Sequence, residues 1–258
     1  GTEGDIIHLI AMHRDGANGS QTHESGVKMA ILYYRSTDYG TSWSNEIEIP
    51  GLDILSYNNF RRADSYVIEA RGQTVVIAYF ARFAKSRIIK STDNGETWKS
   101  TIFLNFPVDK YEYDTGIDLD ANGVGDKVFS TDGSGSLIID ELYKAHVFYG
   151  IMQYSDENLS GGSYEYYRFT NGISYWNESY GEDTTDAKIR DNIQGGRWFS
   201  NLTRWITQAP DINGDGKVQG LDSAGYAVYG VGGMGSASFP SAGMDAAGNI
   251  WLSFSGYT

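Results

Sequence analysis

The chain has 258 residues, of which 40% are hydrophobic, so it is long enough to bury a sizeable core. Its 20 Lys and Arg against 33 Asp and Glu give a net charge of −13, and no basic run interrupts this acidity, which argues against a nucleic-acid partner. No apolar run reaches the ~18 residues that a membrane-spanning helix needs, and the absence of cysteine excludes disulfides and thiolate chemistry.

Runs of β-branched and aromatic residues predict strands along the whole chain, and clusters of Gly, Asn, Asp and Ser separate them. The 32 glycines and only 4 prolines indicate turns that are made by glycine and Asx residues. We therefore predict an all-β protein of antiparallel sheets. In chain order, the clearest strands are KMAILYYR (28–35), QTVVIAYFAR (73–82), SRIIKS (86–91), KAHVFYGIMQY (144–154) and NIWLSFSGY (249–257).

One eight-residue pattern occurs twice, as STDYGTSW (36–43) and as STDNGETW (91–98), and the copies start 91 − 36 = 55 residues apart. Each copy follows one predicted strand and precedes another, which is the position of a hairpin turn. The aspartate can accept backbone N–H groups, the glycine can take a positive φ, and the tryptophan can pack beneath the turn. These residues are Ser36, Asp38, Gly40 and Trp43 in the first copy and Ser91, Asp93, Gly95 and Trp98 in the second.

This octet resembles the Asp-box, or BNR repeat, of sialidases and many other β-propeller proteins. The resemblance implies four-stranded antiparallel blades, in which each octet forms the hairpin between the third and fourth strands, on the side away from the active centre. The octet itself implies no activity. A further segment, FTNGISYW (169–176), is either a degenerate third copy, because it keeps Asn171 and Trp176 in register, or no copy, because Phe169 and Ile173 replace the serine and the glycine.

Counted from these landmarks, the resemblance implies that residues 1–258 form a single sialidase-like segment of a partial propeller. One blade closes near residue 43, and further blades span 58–107 and 113–180. An insertion carrying a calcium loop covers 181–238, and 239–258 begin the next blade. Because propellers usually need about 4–8 blades to close, we interpret the chain as a piece of a longer propeller. The alternative is that the chain contains further blades whose repeats are too degenerate to be recognised.

The segment DINGDGKVQGLD (211–222) fits the twelve-position calcium loop, whose spacing points alternate oxygen ligands inward. It resembles the loops of EF-hand and dockerin-type proteins, with aspartate in place of the usual final glutamate, and it implies calcium as a structural cofactor. The alternative is an Asx-rich turn. A second acidic segment, DLDANGVGD (118–126), has Phe129 where the last ligand belongs, so an ordinary glycine-rich turn suits it at least as well. The ligands of the first loop are Asp211, Asn213, Asp215, the carbonyl of Lys217, and Asp222.

The segment FRRADSYVIEARGQTVVIAYFAR (60–82) resembles the Arg-Ile-Pro strand of sialidases and the strand that follows it. The resemblance places Arg61 at the first position, where the family uses an arginine to bind the substrate carboxylate. Ala63 stands where the family has proline, and 83–87 offer no acidic residue. Arg61 is therefore a candidate catalytic residue, and its alternative role is a salt bridge at a strand edge.

Two functions follow from these resemblances. We predict an extracellular, calcium-stabilised β-propeller module that presents its loops to a glycan or protein partner, as part of a larger secreted or cell-surface protein that holds other segments of the same propeller. The alternative is an exo-glycosidase resembling sialidases, with catalytic residues partly outside this chain; the missing proline and acid favour the binding module. An acidic, cysteine-free propeller suits bacterial export, and four sequons, at Asn18, Asn158, Asn177 and Asn201, are compatible with secretion.

Overall fold

A computed structural model describes residues 5–13, 22–60, 65–112, 115–156, 161–184, 204–208 and 237–256. These residues form thirteen β-strands in four sheets whose neighbouring strands pair antiparallel, which confirms the all-β prediction. A single 3-10 turn, Glu178–Tyr180, is the helical segment that this part of the chain contains. No helix within the described residues is long and apolar enough to cross a membrane.

Each sheet takes consecutive strands of the chain, in sequence order across the sheet. The first sheet contains β1 (Ile7–Met12), β2 (Ile31–Ser36) and β3 (Ile47–Glu48). The second contains β4 (Tyr66–Arg71), β5 (Thr74–Tyr79), β6 (Ser86–Ser91) and β7 (Lys99–Leu104). The third contains β8 (Lys127–Ile139), β9 (Ala145–Ser155), β10 (Glu165–Asn177) and β11 (Arg204–Gln208). The fourth contains β12 (Ala237–Met244) and β13 (Ile250–Gly256).

The core lies between consecutive sheets, which pack face to face. Strand β5 shows this most clearly, because all six of its residues are buried. Val76 and Ala78 pack into the cluster shared with the third sheet, whereas Ile77 and Tyr79 pack into the cluster shared with the first. A strand that is covered on both faces needs apolar residues at every position rather than at alternate ones. The run TVVIAY satisfies that requirement.

Strand β11 corrects one predicted boundary. Residues 204–208 lie within 181–238, the range predicted as an insertion, but they pair antiparallel with β10 and complete the third sheet. The prediction ended this unit at residue 180 because the units were counted from the octets and from the octet-like segment FTNGISYW, which ends at residue 176. Trp205 packs against the same buried cluster as β9, so tertiary contact favours the strand where the local pattern is weak.

Both octets form the same turn at the end of a strand. In the first copy, Ser36 Oγ donates to Asp38 Oδ1 (2.8 Å) and accepts from the N–H of Gly40 (2.8 Å). Asp38 in turn accepts the N–H (2.8 Å) and the hydroxyl (2.6 Å) of Ser42. Gly40 and Gly95 have φ of +83° and +84°. The same four bonds recur in the second copy, at distances of 2.7, 2.7, 2.9 and 2.5 Å, through Ser91, Asp93, Gly95 and Thr97.

The segment FTNGISYW is not a third turn, because 169–176 lie inside β10. Asn171 and Trp176, which match the octet pattern, have other roles here. Trp176 is fully buried between sheets, and Asn171 Oδ1 accepts from the N–H of Ala237 (2.5 Å). The turn of this sheet follows β10 as the 3-10 segment 178–180, which Gly181 ends with φ of +79°.

The first and third sheets each contain a histidine–tyrosine pair with the same geometry, so the two sheets can be compared position by position. His8 Nδ1 lies 2.6 Å from Tyr33 Oη with the rings stacked at 6.0 Å and 19°, and His146 Nδ1 lies 2.7 Å from Tyr175 Oη with the rings at 6.0 Å and 18°. Counted three residues on from each tyrosine, Glu178 occupies the position of the octet serine. The third sheet therefore has a glutamate at the position where the first octet has the serine that closes its turn.

A second repeated turn relates the third and fourth sheets. In the β8–β9 and β12–β13 turns, Oδ1 of an aspartate accepts the N–H groups two and four residues further on, and Oδ2 meets a ring nitrogen six residues further on. The distances are 2.8, 2.7 and 3.2 Å from Asp140 to Leu142, Lys144 and His146, and 2.9, 2.8 and 3.1 Å from Asp245 to Ala247, Asn249 and Trp251. The fourth sheet thus repeats the first two strands of the third.

We predict that Gly95→Ala strongly destabilises the protein. A Cβ at this position would lie 2.1 Å from the Tyr33 hydroxyl. Tyr33 is fully buried and packs edge-to-face against Trp98, with ring centroids 5.0 Å apart, so it has no room to move. The expected loss of unfolding free energy is on the order of 2–5 kcal/mol, from the left-handed backbone and the clash together. Urea unfolding measures it.

Gly123→Ala is the matched control for that measurement. Gly123 has nearly the same φ, +83°, but an added Cβ would meet nothing within 4 Å. The Gly123→Ala variant should lose only the part of the unfolding free energy that comes from the left-handed backbone, about 1–2 kcal/mol. Equal losses in the two variants would contradict the proposed clash between residue 95 and Tyr33.

We also predict that the octet aspartates contribute to acid sensitivity. Hydrogen bonds from Ser42, and then from Ser36, lower the pKa of Asp38 to about 2, and the equivalent bonds from Thr97 and Ser91 lower the pKa of Asp93. Because the unfolded carboxylates titrate near pH ~3.9, their stabilisation is complete above that pH and is lost as the pH falls through the lower folded values. The melting temperature of an Asp38→Asn, Asp93→Asn variant should therefore fall less steeply than that of the wild type between about pH 5 and pH 2. Parallel curves would contradict this role.

Candidate functional site

The sheets have two unlike ends. At one, which we call the turn end, lie the octets, the 3-10 turn and the two aspartate turns. At the other, the loop end, lie the longer connections that follow β1, β3, β5, β7 and β9. Binding residues are found disproportionately on loops that a rigid scaffold positions, so side chains that converge at the loop end are candidates for a site.

Arg82, which follows β5, joins three segments at the loop end. Its guanidinium donates to the carbonyl of Asp132 (2.7 Å) and to the hydroxyl of Tyr164 (3.2 Å), and it lies 5.7 Å from the centroid of the Tyr154 ring. Burial alone would lower the pKa of Arg82, but Tyr154, Tyr164 and Asp132 raise it above its ordinary value. Arg82 is therefore a permanent, oriented cation at this end of the sheets.

The carboxylate of Asp132 has a structural role beside this cation. Oδ1 accepts the N–H (2.8 Å) and the hydroxyl (2.6 Å) of Ser134, and Oδ2 accepts the hydroxyl of Ser238 (2.7 Å). A Cβ on Gly150 would lie 2.2 Å from Oδ2, so only glycine fits opposite. Asp132, which is 1% exposed, thus ties β8 to β12 from a closed site.

An aromatic cluster forms the floor beneath Arg82. The ring of Phe83 meets those of Tyr111, Tyr154 and Tyr164 at centroid distances of 5.2, 4.8 and 4.6 Å. Phe83 has φ of +60°, a left-handed conformation that is costly for a bulky residue and persists only where its surroundings enforce it. The cluster therefore holds a strained backbone in a fixed position.

A buried carboxylate lies beside this floor. Asp156 is 1% exposed and accepts a short hydrogen bond from the Tyr111 hydroxyl through Oδ2. Its other oxygen, Oδ1, is buried and has no hydrogen-bond partner within the part of the chain that the structure describes. A buried acceptor without a partner is costly, and Asp156 is thus a second polar group of interest at the loop end.

The surface above the floor is shallow. The cleft between the 49–60 and 105–112 segments, lined by Arg82, Tyr111 and Glu112, encloses about 20 Å³, which is room for a single water molecule. Tyr164 and Tyr166 are half-buried and pack against the cluster of Phe83, Tyr111 and Tyr154. Tyr167 alternates with Tyr166 along β10 and lies on the other face of the sheet, where Lys127 Nζ lies 4.3 Å from the centroid of its ring. A ligand would therefore bind on an aromatic surface and not inside a deep pocket.

Two further groups of acidic side chains lie close together in the described residues. Asp118 and Asp120 accept the N–H of Asn122 (3.1 and 3.2 Å), and Asp126 Oδ2 accepts that of Leu119 (2.6 Å), as in a glycine-rich turn. His23, with Glu24 and Glu46, forms the other group; its Nε2 lies 3.1 Å from Glu46 Oε1.

The structure describes only part of the predicted site residues. The octet residues lie at the turn end. Arg61, in 61–64, and the calcium loop, in 209–236, lie outside the described residues. Arg82, the last residue of the segment that was compared with sialidases, was not singled out. Its signal was a cation directly after a long apolar run and before an aromatic residue.

Comparisons with known proteins give little beyond this geometry. No family model matches the chain, and no curated protein matches it. Among solved structures, the chain is similar to an α-L-arabinofuranosidase from Clostridium thermocellum, with a TM-score of 0.32 and 11% sequence identity over 96% of this chain and 78% of that chain. At that TM-score the likeness carries no conclusion about fold or function.

Proposed function

We propose that this chain is part of a β-propeller that binds a glycan at its loop end. Three features support the propeller: meander sheets of up to four strands follow one another along the chain, each packs face to face on the next, and equivalent turns recur at equivalent strand ends. The octet resemblance agrees with all three. On this proposal, the first and fourth sheets are blades to which further strands belong.

The half-buried tyrosines around Arg82 carry the glycan proposal. Sugar rings present apolar C–H faces and hydroxyl edges, so they suit aromatic rings that stand beside fixed hydrogen-bond donors. Tyr164 and Tyr166 supply the rings, and Arg82 supplies the donors. The floor beneath them is rigid, because Phe83 and Tyr154 are buried, and a preorganised surface loses less entropy when it binds.

The proposal also includes the structural calcium loop at 211–222 and the secreted or cell-surface location that the resemblance implies. A protein partner at the same surface and an exo-glycosidase are the other candidates. One feature favours the enzyme: Asp156 offers a buried carboxylate oxygen next to a tyrosine hydroxyl.

We predict that the protein binds glycans on an immobilised array and that Arg82→Gln and Tyr166→Ala each weaken binding at least tenfold, because each removes part of the proposed surface. Arg71→Gln is the control: Arg71 is also half-buried and donates to a backbone carbonyl, of Ile139, but it lies at the turn end. Biolayer interferometry against the best array glycan gives the affinities, and melting curves confirm that each variant is folded.

Three results would contradict the proposal: no glycan binding, unchanged affinity in both loop-end variants, or an equal loss in the Arg71 variant. Release of sugar from the bound glycan or from a fluorogenic sialoside, abolished by Asp156→Asn, would establish the exo-glycosidase instead. Capture of a protein ligand that Arg82→Gln abolishes, without glycan binding, would assign the surface to a protein partner.

We predict that calcium raises the melting temperature through the loop at 211–222. At a hundredfold excess over Kd, one site stabilises the folded state by about 2.7 kcal/mol, or roughly 5–10 °C for a chain of this size. Asp211→Ala should remove the shift, whereas Asp120→Ala, in the other acidic segment, should leave it intact. An unchanged shift in the Asp211 variant would contradict a calcium site in this loop.

A further inference from the structure

A second cleft, of about 310 Å³, opens at the turn end where the first strands of the second, third and fourth sheets meet. Strands β4, β8 and β12 each contribute three consecutive residues to it, at 69–71, 137–139 and 242–244. Because β8 contacts both of the other strands, it forms the floor, and β4 and β12 form the walls. The volume lies at the lower end of the range of small-molecule sites.

The main chain of these strands also faces the cleft. Each strand is an edge strand of its own sheet, so one side of its main chain has no partner strand. In the antiparallel ladders, Ala70, Leu137 and Met244 lie at positions whose N–H and C=O groups turn away from the paired strand. The cleft therefore offers hydrogen-bond donors and acceptors at its rim.

Two side chains of opposite charge enter the cleft from β4. Glu69 lies opposite Val76 of β5, and Val76 packs toward the third sheet, so Glu69 and Arg71 turn to that side. Arg71 is held by β8, because Nη1 donates to the carbonyl of Ile139 (3.2 Å). Its Nη2 lies 3.9 Å from Glu141 Oε1, which is too long for a hydrogen bond, so Nη2 can donate to a ligand.

The carboxylate of Glu69 has no partner. It forms no hydrogen bond or ion pair with any residue that the structure describes. Burial raises the pKa of Glu69 above its ordinary value, and no described neighbour lowers it. A cationic group next to a carboxylate stabilises its charged form. Since Arg71 is turned toward β8, the ammonium group of a ligand can take this place.

The opposite wall of the cleft is apolar. Ala242 and Met244 on β12 are half-buried and pack toward the third sheet, against the cluster that contains Ile138. An aliphatic group that leaves water to lie against this wall gains hydrophobic free energy. The cleft thus combines one unpaired anion, one oriented cation and an apolar surface.

We propose that this cleft binds a free aliphatic α-amino acid. The ammonium of the ligand donates to Glu69, its carboxylate accepts from Arg71 Nη2, and its side chain lies against Ala242 and Met244. Residues two apart on a strand are separated by ~6.6–6.8 Å, a span that the neighbouring ammonium and carboxylate of an α-amino acid bridge with a hydrogen bond at each end. A ligand with a single charge would pair with one of the two side chains and be repelled by the other.

The test is isothermal titration of the whole chain with L-leucine, L-isoleucine and L-valine. We expect at least one to bind, and Glu69→Gln and Arg71→Gln each to weaken it at least tenfold, because each removes one of the two charges. Glu48→Gln is the matched control. It changes an exposed glutamate on β3 of the first sheet, outside the cleft, and should bind as the wild type does. Melting curves confirm that each variant is folded.

Ligands that lack one group test each contact separately. For leucine, 3-methylbutylamine lacks the carboxylate, 4-methylpentanoate lacks the ammonium, and glycine lacks the side chain. Each should bind at least tenfold more weakly than the amino acid, because each loses one of the three contacts. The corresponding analogues serve if isoleucine or valine binds best.

The proposal is wrong if none of the amino acids binds, if Glu69→Gln and Arg71→Gln both leave the affinity unchanged, if Glu48→Gln weakens binding as much as Glu69→Gln, or if the amine or the acid binds as tightly as the amino acid. The two proposed sites are separable, because Arg82 lies at the opposite end of the sheets. Arg82→Gln should weaken glycan binding and leave the amino-acid titration unchanged, whereas Arg71→Gln should do the reverse. Either site can therefore fail while the other stands.

Discussion

The whole arrangement depends on burying both faces of the middle sheets. In β5, Val76 and Ala78 face one neighbouring sheet while Ile77 and Tyr79 face the other, so a single sheet on its own would expose one apolar face to water. Each fully buried aliphatic side chain contributes about 1.5–3 kcal/mol, and that contribution needs the neighbour in place. The sheets are therefore stable as a series, in which each one covers the next.

Burial is not directional, so polar contacts must set how one sheet sits on the next. The basic residue directly before each octet does this. Arg35 reaches the second octet, donating to the carbonyl of Asn94 (3.0 Å) and to Glu96 (2.6 Å). Lys90, at the equivalent place, reaches Glu178 and the carbonyl of Tyr143 (2.6 Å) in the third sheet. Pairs of this kind add modest free energy, but they specify one alignment.

Features that are encoded locally could be predicted from the sequence, and features that depend on tertiary partners could not. The long apolar strands predicted around β5, β6 and β9 appear in the structure because β-branched and aromatic runs need no distant partner to be recognised. Strand β11 was missed, because RWITQ becomes a strand only through pairing with β10. The sequence left FTNGISYW open between a third octet and no octet, because it does not show that Trp176 is required by the core and not by a turn.

The candidate sites show the same division. Arg82 converges with Tyr164 and Asp132, which are 82 and 50 residues away along the chain, and no local pattern encodes such a meeting. The calcium loop is the opposite case, since its evidence is a spacing within twelve consecutive residues. A ligand set within one segment can therefore be predicted from the sequence, whereas a surface assembled from distant segments cannot.

The turn-end contact between the second and third sheets arises where the repeat is broken. In the octets, the first serine turns back on its own loop, and Ser91 Oγ accepts the N–H of Gly95 (2.7 Å). At the equivalent position the third sheet has Glu178, whose longer side chain reaches outward to Lys90. Its turn is then closed by Asn177, which caps the 3-10 segment through the N–H of Ser179 (2.9 Å). A glutamate in place of the octet serine therefore gives up the local turn and ties the second and third sheets together through Lys90.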